Sequence, residues 1–169
     1  MALKKITTDL FNQLREPFTG EKLFNQMTDM VYFIKNQSGQ YVVVNQSLAD
    51  RCGFADKNEL IGRTADQVYP PPLGTSYRAQ DDRILETGKA ILNQLELQIY
   101  PSHETGWCLT NKVPLLNKEG AAVGLVGISK DLHAPSDKSE DYSAIRKVIE
   151  HIQTNYDQPL KIQDLAGMA

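Results

Sequence analysis

The stretch Val31-Tyr32-Phe33-Ile34-Lys35 is followed by Asn36-Gln37-Ser38-Gly39 and then by Tyr41-Val42-Val43-Val44-Asn45. Two runs rich in β-branched and aromatic residues, separated by a short polar stretch with a glycine, are typical of a β-hairpin. The sequence therefore predicts that the central sheet begins with two antiparallel strands.

Short helical patterns follow the hairpin, and a glycine stands just after each of them. Glycine is common at this place because it adopts the left-handed conformation without strain. The predicted helices are residues 46–52 before Gly53, residues 57–60 before Gly62, and residues 75–87 before Gly88.

Three strand patterns close the body of the chain, at residues 90–99, 107–116 and 121–131. The last two are joined by Asn117-Lys118-Glu119-Gly120, which is a hairpin turn. Hairpins at both ends favour an antiparallel sheet with the helices packed on one face, which is an α+β architecture.

This order of elements resembles the PAS sensory domain over residues 23–132. The resemblance implies a five-stranded antiparallel sheet with short helices on one face. Its motifs are residues 29–35, Gly39-Gln40-Tyr41, Val44-Asn45, residues 60–64, Asp82, Ile84-Leu85, Gly88, Trp107, Lys112, Pro114-Leu115, Gly120 and residues 123–128. Asp131-Leu132-His133 stands where many members close with Asp-Ile-Thr, and this departure argues against a kinase-type coupling joint.

The C-terminal residues 143–169 carry a second resemblance. Ile145, Val148, Ile149 and Ile152 have helical spacing, and residues 155–159 break the pattern before a second short helix. The series resembles the opening of the DNA-binding domain of AraC/XylS-type transcription regulators, in which it forms the first helix and the start of the first helix-turn-helix. Lys161 stands where that family usually has Ser or Thr, which would accept a backbone N–H at the start of the second helix.

These resemblances imply the sensory and dimerisation region of an AraC-family regulator that couples a PAS input to sequence-specific DNA binding. The Pro-, Ser- and charge-rich residues 133–142 serve as a linker, and the DNA-contacting residues are expected beyond Ala169. The alternative is the PAS input domain of a signalling enzyme such as a histidine kinase. His151-Ile152-Gln153 lacks the Glu-Leu or Asp-Leu that would follow a phospho-accepting histidine, which favours the regulator.

Composition indicates a cytoplasmic protein without a membrane segment. The chain has 169 residues and a net charge of −3, so it offers no basic surface for nucleic acid. No apolar run approaches the roughly 18 residues that cross a bilayer. Cys52 and Cys108 alone are no disulfide framework.

The sequence suggests neither an enzyme nor a cofactor site. His103, His133 and His151 are scattered, without the spacing of metal ligands. The resemblance implies no haem, because residues 75–87 contain no histidine, and no flavin adduct, because Cys52 lacks the flanking pattern of the flavin photosensors. Of the adjacent pair Asp81-Asp82, one is expected to face solvent and the other to have a local partner.

A small-molecule effector could bind in a cavity between the sheet and the longest helix. Strand alternation puts Trp107, Leu109 and Asn111 on one face of their strand and Cys108, Thr110 and Lys112 on the other. The predicted pocket consists of Tyr77, Ile84, Leu85, Trp107, Leu109 and Asn111. The alternative is that these side chains simply fill the core.

The N-terminal segment, residues 1–22, contains a helix with a narrow apolar stripe formed by Leu3, Ile6, Leu10 and Leu14. One interpretation is a dimerisation seam, which would make the protein a homodimer. The other is a helix that caps the core of its own domain.

Overall fold

The computed structural model describes residues 10–100, 105–132, 148, 151–152, 155, 159 and 161–167. The chain forms two compact units, Met1–Asp131 and Leu132–Ala169. Each is described by itself.

The first unit is built on a five-stranded sheet in the order β2-β1-β5-β4-β3. The strands are β1 Met30–Asn36, β2 Tyr41–Val44, β3 Ile91–Ile99, β4 Thr105–Leu116 and β5 Ala122–Leu132. The pairs β1–β2, β1–β5 and β3–β4 are antiparallel. The predicted α+β class and its five-stranded antiparallel sheet are confirmed.

Helices precede the sheet and fill the connection from β2 to β3. They are α1 Glu21–Phe24, α2 Gln46–Cys52, a 3-10 helix Lys57–Leu60, α3 Ala65–Val68 and α4 Leu73–Thr87. Helix α4 begins two residues earlier than predicted. The four-residue α3 was not predicted. At its start, the side chain of Gln67 accepts the Thr64 N–H at 3.0 Å.

Asn45 fixes the position of α2 relative to β1. Its buried Oδ1 accepts the backbone N–H groups of Tyr32 at 2.9 Å and Leu48 at 3.2 Å. Its Nδ2 donates to the carbonyl groups of Met30 at 2.7 Å and Phe24 at 3.0 Å. One side chain thus caps α2 and ties it to β1, which sets where the last turn of α2 meets the sheet.

The hydrophobic core lies between the inner face of the sheet and the helices. Its buried apolar side chains include Val31, Phe33, Tyr41, Val44, Leu48, Leu60, Ile84 and Leu125. A Cβ atom at Gly127 would overlap the Phe33 ring, so glycine at this position lets that ring lie directly against β5.

The outer face of the sheet is only partly covered. Phe24 stacks on Tyr32 of β1 with ring centroids 4.1 Å apart. Farther along the sheet, Leu95, Leu97 and Ile99 of β3 and Val113 and Leu115 of β4 remain exposed.

In the predicted N-terminal stripe, Leu3 and Ile6 lie outside the described residues. Leu10 is helical and 59% exposed, and Leu14 is 42% exposed. Neither described member of the stripe is buried in the core of the first unit.

In the second unit, Val148, His151 and Ile152 are helical, and α5 spans Ile162–Ala166. Lys161 occupies the N-cap position of α5 without a side-chain cap, as expected for a lysine in that place. The predicted linker, residues 133–142, lies outside the described residues. Over the part of the chain that the structure describes, no helix has the length and apolar character to cross a membrane.

Candidate ligand cavity

Three charged side chains meet in the core between the sheet and α4. Lys35 of β1 and Lys112 of β4 both bind the carboxylate of Asp81 on α4. Lys35 pairs with Oδ2, and the Lys112 Nζ lies 2.7 Å from Oδ1. All three residues are buried, and we call them the Lys–Asp–Lys cluster.

The spacing of residues along β1 and α4 explains why Lys35 and Asp81 lie on the faces of these elements that meet in the core. Lys35 follows Val31 and Phe33 at alternate positions on β1, and these three side chains share its inner face. Asp81 lies four residues after Tyr77 and three before Ile84, which are both buried on α4.

The aromatic side chains around the cluster turn their rings toward the two ammonium groups. The Lys35 Nζ lies 4.1 Å from the centroid of the Tyr41 ring and 5.3 Å from that of Phe33. The Lys112 Nζ lies 5.6 Å from the Tyr77 centroid. Cation–π attraction replaces part of the hydration that the ammonium groups lose on burial.

The cluster holds two positive charges and one negative charge. Burial lowers the pKa of Lys35 to about 8, although the carboxylate of Asp81 opposes that shift. Burial also raises the pKa of Tyr41 and of Tyr69 well above its usual range, so both phenols stay neutral. The site therefore presents an excess of positive charge among neutral hydroxyl donors.

A second polar group lies on β3, β4 and β5. The Thr110 hydroxyl donates to Glu96 at 2.6 Å, and the hydroxyl oxygens of Thr110 and Ser129 lie 3.0 Å apart. Arg51 of α2 donates through Nη1 to the Ser129 Oγ at 2.9 Å and also pairs with Asp131. The group thus runs from Glu96 to Asp131 on the inner face of the sheet.

The two polar groups line one cavity. Its volume is about 30 Å³, room for one or two water molecules. The lining side chains are Val31, Phe33, Lys35, Tyr41, Arg51, Tyr69, Tyr77, Glu96, Gln98, Cys108, Thr110, Lys112 and Ser129.

The predicted pocket needs a correction. Tyr77 lines the cavity, whereas Ile84 is a core residue and Leu85 packs against that core. Trp107, Leu109 and Asn111 lie on the outer side of β4, because Cys108, Thr110 and Lys112 are the ones that face inward. The sequence separated the two faces of β4 correctly. The prediction placed the face with Trp107 and Leu109 toward the interior, whereas the structure places the opposite face there.

Sequence reasoning also missed Asp81 and Lys35. Asp82 behaves as expected for the pair, since it is partly exposed and binds Arg78 four residues earlier. Asp81, by contrast, is completely buried. The signal was its position on the apolar stripe of α4, between Tyr77 and Ile84.

Within the described ranges, no group of three or more His, Cys, Asp or Glu side chains is placed to hold a metal ion. Cys52 and Cys108 are free thiols. Burial raises the pKa of Cys52 to about 11, which keeps it a thiol near neutral pH.

The family follows from a match to the PAS fold over residues 24–136, more than half of the sequence. The chain belongs to the PAS fold family. A search among curated proteins finds none that matches it.

Among solved structures, the chain is similar to VqmA. VqmA bound to DPO has a TM-score of 0.57 and 20% identity, over 87% of this chain and 78% of that one. A Vibrio cholerae VqmA–ligand–DNA complex has a TM-score of 0.59 and 17% identity, over 88% of this chain and 61% of that one. The Vibrio cholerae VqmA dimer has a TM-score of 0.57 and 18% identity, over 87% of this chain and 75% of that one. It is described as giving insight into the DNA-binding mechanisms of LuxR-type receptors. At these identities the likeness shows the fold.

Replacing Asp81 by asparagine should destabilise the first unit by about 3–5 kcal/mol, because two buried ammonium groups lose their shared carboxylate. The matched control is Asp82→Asn, which removes the same charge from the next residue. Its partly exposed pair with Arg78 should be worth about 0.5 kcal/mol or less. Urea unfolding followed by circular dichroism measures both values, and similar losses for the two variants would contradict the account of the cluster.

The lowered pKa of Lys35 also predicts a pH dependence of stability. Between pH of about 8 and its ordinary value of 10.5, the unfolded chain keeps a proton on Lys35 that the folded chain has released. The contribution of Lys35 to the free energy of unfolding should therefore rise with pH across that window. Urea unfolding of the wild type and of Lys35→Met at each pH isolates the contribution of Lys35, because both proteins contain the other titrating groups. A difference between them that falls or stays constant from pH 8 to 10.5 would show that Lys35 keeps its proton.

Proposed function

We propose that this chain is the sensory region of an AraC-family transcription regulator, in which a small molecule in the cavity controls sequence-specific DNA binding. The observation that carries the proposal is the Lys–Asp–Lys cluster beside the cavity. Buried ion pairs seldom add net stability over an apolar core. Two ammonium groups around one carboxylate are better suited to receiving a further acceptor group.

The chemistry of the lining defines the class of ligand. Lys35 and Lys112 provide ammonium donors, and Phe33, Tyr41 and Tyr77 provide aromatic walls. These features fit a small planar molecule that carries an anionic or strongly accepting oxygen or nitrogen. VqmA, similar in fold, is described as bound to DPO and in a complex with ligand and DNA, which is consistent with such a role here.

The AraC-type output rests on the C-terminal sequence pattern that includes Pro159, Asp164, Leu165 and Ala166. VqmA is connected with LuxR-type receptors, so its likeness supports a DNA-binding regulator without favouring the AraC family. The proposal makes the PAS domain a binding module in the cytoplasm rather than an enzyme.

We further propose that the protein works as a homodimer. Leu10 and Leu14 of the N-terminal stripe are exposed, and so is the nearby Phe11. Covering these side chains with the same segment of a second chain removes apolar surface from water in both subunits at once. VqmA of Vibrio cholerae is described as a dimer.

Ligand binding can be tested by thermal unfolding of the chain with DPO and with small heteroaromatic acids. A binder at 100 times its dissociation constant stabilises the folded state by about 2.7 kcal/mol and raises the unfolding temperature by several degrees. Lys112→Met should abolish the shift, whereas Lys118→Met, in the exposed turn between β4 and β5, should keep it. A cavity that takes none of these compounds would contradict the proposed sensing role.

Dimerisation can be tested by analytical ultracentrifugation. The wild type should sediment as a dimer at tens of micromolar, and Leu10→Asp combined with Leu14→Asp should give a folded monomer, because two buried charges would oppose association. Asn12→Asp, which adds a charge at a polar position of the same segment, should leave the dimer intact. A monomeric wild type, or a double variant that remains dimeric, would contradict a dimerisation seam on this stripe.

A further inference from the structure

Arg51 contacts both the cavity and the end of the first compact unit. It lies in the last turn of α2, it is almost completely buried, and it lines the cavity. Its Nη2 forms an ion pair with Asp131. Asp131 is the last residue of the unit Met1–Asp131, where the chain continues into the second unit.

The Nε–H of the Arg51 guanidinium is a donor to spare. Nη1 donates to the Ser129 Oγ at 2.9 Å, and Nη2 donates to Asp131 and, at 3.4 Å, to the Ser129 carbonyl. Nε is buried and finds no hydrogen-bond partner among the described residues. A buried donor left without a partner costs free energy, which an acceptor atom arriving in the cavity would recover.

Resting on the proposed ligand-binding function, we propose that Arg51 couples occupancy of the cavity to the end of β5. An acceptor atom of the ligand takes the free Nε–H and draws the guanidinium away from Asp131. The ligand and Asp131 therefore compete for one arginine, and an occupied cavity loosens the point at which the chain leaves the domain.

The size of the cavity supports this displacement. A volume of about 30 Å³ holds one or two water molecules, so a ligand with more atoms has to move side chains of the wall. Arg51 and Ser129 both belong to that wall, and Ser129 lies on β5 two residues before Asp131. Movement of the wall at this point is transmitted directly to the last residues of the strand.

The structure also offers a local readout of the coupling. The backbone N–H of Asp131 donates to the Asp29 carbonyl at 3.0 Å, which ties the end of β5 to the residue before β1. Loss of the Arg51–Asp131 pair should open this bond more often, and the Asp131 amide should then exchange its hydrogen faster.

Competition for Arg51 has a thermodynamic consequence that can be measured. If the ligand weakens the Arg51–Asp131 pair, then removal of the Asp131 charge must strengthen ligand binding by the same coupling. We expect Asp131→Asn to tighten binding about fivefold or more. Arg51→Lys, which keeps the charge but lacks the Nε–H, should weaken binding about tenfold. With Arg51→Lys in place, Asp131→Asn should have no further effect on affinity.

The experiment uses the 169-residue chain with two probes, DPO and formate. Formate is a carboxylate with three heavy atoms, small enough for the cavity as it stands. Calorimetric titration gives the affinities of the wild type, Asp131→Asn, Arg51→Lys and the double variant. Asp50→Asn is the matched control, because it removes a charge from the exposed neighbour of Arg51 on α2. Hydrogen exchange at Asp131 is followed with and without each probe.

The expected result is tighter binding in Asp131→Asn and unchanged binding in Asp50→Asn. A bound probe should accelerate exchange at residue 131 in the wild type and in Asp50→Asn, which keep the Arg51–Asp131 pair, but not in Asp131→Asn or Arg51→Lys. A probe that binds the wild type without changing that exchange, or equal affinities in Asp131→Asn and Asp50→Asn, would overturn the coupling and leave the sensing role intact. Failure of both probes to bind the wild type would contradict the sensing role, and the coupling with it.

Discussion

The carboxylate of Asp81 is the constraint on which the rest of the site depends. Two lysine side chains enter the core from different strands, and burying an ammonium group without a partner is costly. Asp81 provides one oxygen for each of them. Helix α4 must therefore pack with this face toward β1 and β4. This packing brings Tyr77 of α4 to the ammonium groups, where Phe33 and Tyr41 of the sheet also lie.

The same constraint gives the cavity its chemistry. Replacing a buried ion pair by an apolar core of equal volume often leaves stability unchanged or raises it, and the proposed binding of a ligand would give these buried charges a role. The cluster provides donors at one end of the cavity. Arg51 provides a further donor where the sheet meets α2, and its pair with Asp131 reaches the point where the chain leaves the domain.

The sheet could be predicted from the sequence because alternation and turn residues are local signals. Residues 31–45 predicted a hairpin, and Gly53 and Gly88 marked the ends of α2 and α4. The inner face of β4 could not be identified in this way. Alternation separates Trp107 and Leu109 from Thr110 and Lys112 without indicating which set is buried, and a buried lysine is recognised only when Asp81 is known to face it. Long-range charge pairing is a property of the folded chain.

Under the proposed function, the Lys–Asp–Lys cluster is kept for binding rather than for stability. The most direct test is thermal unfolding, with and without DPO, of the variant that combines Lys35→Met, Asp81→Leu and Lys112→Met. We expect a folded protein whose unfolding temperature equals or exceeds that of the wild type and does not change with DPO. A variant that fails to fold, or one that DPO stabilises as much as it stabilises the wild type, would contradict it.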